Sequence, residues 1–551
     1  KKPYDQFGGQ VSYKTGSYGL NRITADVNTP VGEEEDLAVR AVGAYHSEGS
    51  FQDAGFKESF YLAPSLAYQV NERLSFDVQT EFYSSERTNP VMVFLNRSAE
   101  LEFEDLDELN YHRERSYTSN DLTISNPTMN LQARMSYEFS DNWRSETSVS
   151  RSRAKTEGLY SYLWDYAGDN GLFGRFISDQ NSTTYGTNLQ QNFIGQFEVA
   201  SLGNTLAVGL DYYQSEVNNN SSGYILFDNV TMGEADTSEI SKPAVKRDIA
   251  DASITKSTTE EATYSIYATD ILDITPRLSV MGALRLDHFV NRGTENARTG
   301  ATTGDFEQTA LSPRAGIRYQ PLEDKVSLFA NYMNGFSNVA PRSQADGSTK
   351  SFEPERASQW EAGVKTSWLG GRLDATVTYY DITVSNIVRE DPDRVNFYVQ
   401  DGENYSRGIE ASVSASPVRG LNLKAGYSHN ISEITETGNP ALEGRRPESA
   451  GPQDLFNGWA SYEFQGGALD GFAVRGGLNY AGENKIMNRS TTGTFTLPSF
   501  TVANAALSYN TPDYRLDLRV NNLADKTYYK GWTTVNPQMP RNLTANFTYK
   551  F

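Results

Sequence analysis

The sequence predicts an all-β protein, a transmembrane antiparallel β-barrel of about 22 strands with short turns at one rim and long loops at the other. Three observations carry that expectation: strict apolar/polar alternation in many short segments, tight turns that alternate with long connections, and aromatic richness without a long apolar run. At 551 residues a soluble chain would divide into several domains. No Pro/Ser-rich linker, charge block or low-complexity tract divides this one, and one weak β-like pattern recurs from Gly8 to Phe551. A single architecture over residues 1–551 follows.

The alternation is clearest at the C-terminus. Leu543, Ala545, Phe547, Tyr549 and Phe551 fall on one face of an extended segment, and Asn542, Thr544, Asn546, Thr548 and Lys550 on the other. Met129, Leu131, Ala133, Met135, Tyr137 and Phe139 alternate likewise with Thr128, Asn130, Gln132, Arg134, Ser136 and Glu138. The pattern returns at Leu74, Phe76, Val78, Thr80 and Phe82, at Leu373, Ala375, Val377 and Tyr379, and at Tyr514, Leu516, Leu518 and Val520. A membrane barrel strand turns one apolar face to lipid and one polar face to the lumen, so it never becomes strongly hydrophobic overall. Asp77, Glu81, Arg134, Glu138, Arg515, Asp517 and Arg519 are therefore expected to face the lumen. A soluble β-sandwich also alternates, but at this length it would need repeated domains, and its strands rarely reach the roughly 9–11 residues of membrane strands.

Tight turns are expected at Asn71–Arg73, Asp141–Trp143, Leu202–Asn204, Gly370–Gly371, Pro417–Gly420 and Pro512–Asp513. Long connections are expected from about Glu86 to Pro127, Ala154 to Asn188, Glu216 to Glu261, Asn338 to Phe352 and Ser432 to Asp454. Short periplasmic turns and long extracellular loops are the layout of bacterial outer-membrane barrels. Tyr68, Tyr137, Trp143, Tyr332, Trp368, Tyr427, Tyr462 and Tyr509 lie near strand ends, where interfacial aromatic girdles form.

Composition narrows the alternatives. The net charge of −21 argues against nucleic acid as a partner. Cysteine is absent, which removes disulfides and thiolate metal sites. Mean hydropathy is −0.57, yet there are 33 Tyr, 27 Phe and 6 Trp, and no stretch approaches the roughly 20 apolar residues of a membrane helix.

Motifs near the C-terminus carry a family resemblance. Asn521-Asn522-Leu523-Ala524-Asp525-Lys526-Thr527-Tyr528-Tyr529, then Pro540-Arg541 and a last strand ending in Phe551, resemble the closing signature of TonB-dependent receptors. Ala524 stands where that family usually has an aromatic residue. Upstream, Phe352-Glu353-Pro354-Glu355 with Glu361, Gly363 and Lys365 resembles the family's Pro-Glu strand-entry motif. Asn404-Tyr405-Ser406-Arg407-Gly408-Ile409-Glu410 resembles its Gly-Val-Glu strand. Physically these motifs specify a barrel and name no ligand: Asn and Asp beside a Tyr pair can terminate a strand through their own backbone. The order of motifs is most similar to the ferric-siderophore branch, especially hydroxamate-type receptors. Lys1-Lys2-Pro3 resembles the junction where the family's plug domain ends. The resemblance therefore implies a plug, a signal peptide and an energy-coupling box that this chain does not contain.

Tyr160, Tyr162, Trp164 and Tyr166 occupy successive even positions and would share one face of an extended segment. Such a face either contacts an organic chelate or packs on neighbouring loops. Phe336 and Arg342 belong to a second loop candidate, and Arg342, Arg445 and Arg446 could meet carboxylate or hydroxamate oxygens, although loop arginines are commonly solvated. His112, beside Tyr111 and Arg113, could ligate haem iron or be solvated. The acidic run Glu100 to Glu108 could attract a divalent cation, but it matches no EF-hand spacing, and its charge would repel strongly anionic catecholate complexes. No nucleophile–base pair supports an enzyme.

The resemblance implies TonB-dependent import of a ferric siderophore bound at the extracellular mouth, in the bacterial outer membrane. Iron would enter only within the ligand, with no catalytic residue, metal site or resident cofactor. Expected partners are the siderophore, the TonB complex through the plug, and outer-membrane lipid and lipopolysaccharide around a monomer. A receptor for haem, cobalamin or a glycan, or a passive wide pore, is the alternative. The plug is expected on size as well, since even 16–18-stranded porins leave an aqueous channel.

Overall fold

The computed structural model describes residues 2–32, 36–166, 171–234, 240–391, 394 and 396–551. The junction residue Lys1 lies outside them.

Twenty-two antiparallel strands form the closed barrel that the alternation predicts. In chain order they are β1 Gly8–Gly16, β2 Leu20–Val31, β3 Leu37–Gly49, β4 Phe56–Asn71, β5 Leu74–Thr88 and β6 Thr128–Ser140. Next come β7 Trp143–Asp165, β8 Leu172–Val199, β9 Leu202–Ser222, β10 Ile254–Thr275, β11 Leu278–Asn296 and β12 Phe306–Leu322. The far side holds β13 Val326–Ser337, β14 Glu355–Trp368, β15 Leu373–Glu390, β16 Tyr398–Ala415 and β17 Leu421–Glu436. The last five are β18 Asp454–Glu463, β19 Phe472–Ala481, β20 Phe500–Asn510, β21 Tyr514–Asn521 and β22 Asn542–Lys550. Closure comes from β1 on β22, with Gln10 opposite Lys550 and Gly16 opposite Thr544. Phe551 completes the seam, donating its N–H to Gly9 at 3.0 Å and accepting from Gly9 at 2.7 Å.

Turn chemistry explains the short rim. Asn71 Oδ1 accepts from the backbone N–H groups of Arg73 and Leu74 at 2.9 and 3.1 Å. The turn expected at Leu202–Asn204 sits earlier: Ala200 and Ser201 both take positive φ, 51° and 66°, and Leu202 already belongs to β9. Residues other than Gly, Asn or Asp rarely adopt that region, so no sequence signal marks the turn.

Several expected loops are strand instead. Ala154 to Asn188 lies almost entirely within β7 and β8, whose pairing runs unbroken from Trp143–Gly195 to Asp165–Phe173. Likewise β5 continues to Thr88, β9 to Ser222 and β17 to Glu436, while β10 starts at Ile254. Beyond the bilayer there is no lipid to impose alternation, yet the backbone ladder continues. The connection after β9 also holds a strand, Ile225–Thr231, and a helix, Lys242–Ile249, whose N-cap Ser241 accepts from Ala244.

The wall's outer face is apolar and its lumen face polar. Leu518, Leu543 and Trp360 are 60%, 59% and 63% exposed on the outside. Inside, Arg285 bonds Asp211 at 3.0 Å and Asp287 at 2.8 Å, and Asp517 holds Arg515 at 2.7 Å and Arg475 at 3.4 Å. Near the short-turn rim Trp143 stacks on Phe197, centroids 6.0 Å apart and planes 8° apart. Tyr68, Tyr137, Trp368, Tyr462 and Tyr509 share that level of the wall, whereas Tyr332 and Tyr427 sit higher on their strands.

Glycines seat aromatic rings across strand pairs. Phe329 lies against Gly363, where a Cβ would come within 2.6 Å of the ring. Trp143, Tyr267, Tyr380 and Trp459 cover Gly195, Gly209, Gly408 and Gly477 in the same way. Such pairing shields backbone that a glycine leaves bare.

The largest buried apolar cluster lies in the loops and not in the wall. Leu163 and Phe173 from the β7–β8 hairpin meet Phe103, Leu106 and Leu109 after β5, Val230 and Met232 after β9, Ile486, Met487, Phe495 and Leu497 after β19, and Val535 after β21. A second cluster packs Val245 and Ile249 of the helix on Leu122, Leu159 and Ile177. Together these loops make a folded cap on the long-loop rim.

Candidate functional site

At the tip of β7 the side chains split cleanly. Leu159, Ser161, Leu163 and Asp165 are buried, and Tyr160, Tyr162 and Trp164 are half-buried on the opposite face. That face keeps the parity of the lumen-facing Ser148, Ser150 and Ser152. Met92–Phe94 runs parallel beside Tyr162–Trp164, and Thr534–Val535 pairs with it in turn. The β-sheet thus reaches across from β7 to the connection between β21 and β22.

The predicted aromatics do share a face, and they also pack on neighbouring segments. Tyr162 stacks on Phe176 at 5.4 Å and meets Tyr224 at 5.1 Å and Phe94 at 5.6 Å. Tyr160 meets Tyr224 at 6.2 Å, and Trp164 meets Phe94 at 6.3 Å. Burial pushes the Tyr160 and Tyr162 hydroxyls up from the usual phenol range. Tyr166 covers Gly174 of β8. These rings form a pre-organised platform whose half-exposed surface offers flat apolar contact with polar tips.

A cavity of about 670 Å³ lies between the cap and the lumen wall. Asn457, Asn479, Asn504 and Asn521 project from β18 to β21, Phe500 adds a ring, and Leu497 and Tyr528–Gly531 close it from the loops. The segment that pairs with Met92–Phe94 therefore continues from a wall of this cavity. Sequence reading missed it, because its asparagines are visible in sequence only as lumen-parity positions.

The other candidates lie elsewhere. Phe336, half-buried near the top of β13, pairs in register with Arg356. Arg342 sits in a short ribbon with its guanidinium 4.9 Å from the Tyr398 ring centroid. Neither lines the cavity. Arg446 is not simply solvated: it donates to Asn430 O at 2.8 Å, Asn430 Oδ1 at 2.9 Å and Gly451 O at 3.1 Å, and burial lowers its pKa. Arg445 donates to Asn488 at 2.9 Å. Nearby Glu448 receives Arg489 at 3.0 Å and lies 3.8 Å from Arg97, tying three loops together. No motif announces that clasp, since its members are far apart in sequence.

His112 is exposed, and no group of three potential metal ligands occurs among the described residues. In the acidic run, Asp105 accepts from the N–H groups of Asp107 and Glu108 at 2.9 and 3.0 Å, and Glu108 from that of Glu104 at 2.8 Å. Those carboxylates cap their own turns, while Phe103 and Leu106 anchor the run in the cap.

Pro354 is buried immediately before Glu355, the first residue of β14, and Glu361 faces the lumen. Gly408 carries the Tyr380 ring, and Glu410 follows it on the same face. Asn522, 2% exposed with φ 50°, accepts from Lys526 N–H at 2.8 Å and donates to Lys526 O at 2.8 Å. Leu523 N–H bonds Ala503 O at 2.8 Å. Asp525 accepts from Arg541 N–H at 2.7 Å, and Tyr528 packs on Phe500 at 4.7 Å. Phe551 packs on Phe7 at 6.0 Å.

Comparison with known proteins agrees with this architecture. The family described as TonB dependent receptor-like, beta-barrel matches residues 47–523. The metal-pseudopaline receptor CntO of Pseudomonas aeruginosa is 25% identical, over 100% of this chain and 76% of its own length. The catecholate siderophore receptor Fiu of Escherichia coli is 24% identical over 100% and 77%. Among solved structures, BauA, the ferric preacinetobactin receptor of Acinetobacter baumannii, superposes with a TM-score of 0.85 at 18% identity, covering 100% of this chain and 81% of that one.

Proposed function

We propose that this chain, which belongs to the TonB-dependent receptor β-barrel family, imports a ferric siderophore captured beneath its extracellular loop cap. Its place is the bacterial outer membrane, and its relatives are receptors rather than enzymes. The observation that carries the reading is the joining of an aromatic platform to a cavity of about 670 Å³ by one loop segment, at the mouth of a 22-stranded wall. Tyr160, Tyr162, Trp164 and Tyr166 supply rigid contact area with little rotamer entropy to lose. Phe336 and Arg342 form a second rim contact.

The wall alone would leave a wide passage. A plug domain inside the lumen would close it and couple release of the chelate to TonB, with mixed-charge lumen residues such as Arg285 and Asp517 as its polar seat. The apolar outer face would sit in lipid and lipopolysaccharide as a monomer. The names of the relatives include a catecholate receptor and a metal-pseudopaline receptor, so likeness does not choose the ligand. The test is uptake of radio-iron by cells lacking and then regaining the gene, with each siderophore class supplied in turn. Saturable uptake that stops when the inner-membrane energy source is removed is expected; energy-independent leakage of unrelated small solutes would favour a passive pore.

A further inference from the structure

We propose that the cavity beneath the cap is a subsite for the uncharged amide- or hydroxamate-bearing part of the chelate, read by the side-chain amides of Asn457 and Asn479. This rests on the receptor function proposed above. The two residues face each other in register on β18 and β19 and line the cavity together. Other asparagines there each have a protein partner: Asn504 accepts from Asn522 N–H at 3.0 Å, Asn521 donates to Asn542 at 2.7 Å, and Asn484 donates to Gly531 O at 2.6 Å. Asn457 and Asn479 are exposed on the lumen face, and among the described residues their amides have no hydrogen-bond partner in the protein, which leaves them open to a ligand.

A primary amide presents two donors and an acceptor, which complements the carbonyl and N–O oxygens of a hydroxamate and the N–H of an amide. Charge points the same way. The chain carries 70 Asp and Glu residues, yet none lines this cavity, and Lys530 is its single cationic side chain. A strongly anionic ligand would find little to neutralise it, whereas an uncharged one needs hydrogen bonds and flat apolar contact. Phe500 and Tyr528, with centroids 4.7 Å apart, supply the latter. The volume falls within the roughly 300–1,000 Å³ of small-molecule sites.

The test titrates the full-length receptor in detergent with three probes, following quenching of intrinsic tryptophan fluorescence. The probes are a neutral ferric trihydroxamate, a strongly anionic ferric tris-catecholate and a neutral iron-free oligosaccharide. The trihydroxamate should bind tightest. N457L/N479L should weaken it roughly tenfold to a hundredfold, while the heat-modifiable gel mobility of the folded barrel persists. If that pair fails to fold, Asn479→Leu alone is read in the same way. Unchanged trihydroxamate affinity in a folded variant overturns the subsite and leaves the receptor function standing. Tighter binding of the tris-catecholate or the oligosaccharide by the unaltered receptor overturns the ligand class. Failure of the unaltered receptor to bind either ferric probe rejects the subsite together with the receptor function.

Discussion

In the wall, Leu518 and Leu543 are 60% and 59% exposed, whereas in the cap Leu163 and Leu497 are 0% and 1% exposed. Leucine does opposite things in the two regions because the solvent differs. The wall is stabilised by a lipid phase it must face, with its polar groups turned inward on each other. The cap stands in water and must bury its apolar side chains as a soluble domain does. The molecule is therefore two folding problems on one chain, and the aromatic platform lies on the seam between them.

Substitutions can break the two regions separately. Phe495→Ala removes a fully buried ring from the cap and should cost about 3–5 kcal/mol locally. Limited proteolysis should then cut the loops while the gel mobility of the barrel is retained; loss of the barrel itself would show that the regions are not independent. Leu518→Arg on the lipid face should cost about 2–4 kcal/mol, measured by urea titration during refolding into vesicles, with no change in loop protection. Asn522→Ala leaves the strand-end backbone groups that its amide satisfies without partners and should cost about 1–3 kcal/mol. In that variant the protection of the β21–β22 connection in hydrogen exchange should fall first. The smallest effect on the wall comes from changing Tyr160, Tyr162, Trp164 and Tyr166 together to alanine. Chelate affinity should fall roughly tenfold with insertion unaffected, and unchanged affinity would move the contact to Phe336 and Arg342.

The wall was readable because lipid imposes a period on sequence: Leu543 to Phe551 alternates from end to end, and so does Met129 to Phe139. Where lipid ends, so does the signal. The upper halves of β7 and β8 read as loop: in β8 the run Asn181 to Thr184 leaves no apolar face to count, and in β7 Leu159 and Leu163 oppose Tyr160, Tyr162 and Trp164, so both faces are apolar and the lipid-type alternation is lost. The aromatic face of Tyr160 to Trp164 was legible from spacing alone, but its partners Phe94, Phe176 and Tyr224 come from separate segments. The Glu448 clasp and the Asn457–Asn479 pair were not legible, because the clasp joins three loops far apart in sequence and the pair is set by the register of two strands, which no local pattern encodes.

The most direct test of the account is radio-iron uptake in cells carrying the complete receptor, comparing the unaltered protein with the quadruple aromatic variant at matched surface expression. The account predicts saturable, energy-dependent uptake from a ferric siderophore, with an apparent affinity weakened roughly tenfold in the variant. Uptake that is absent with every ferric siderophore, or that proceeds unsaturated and without an energy source, would contradict it.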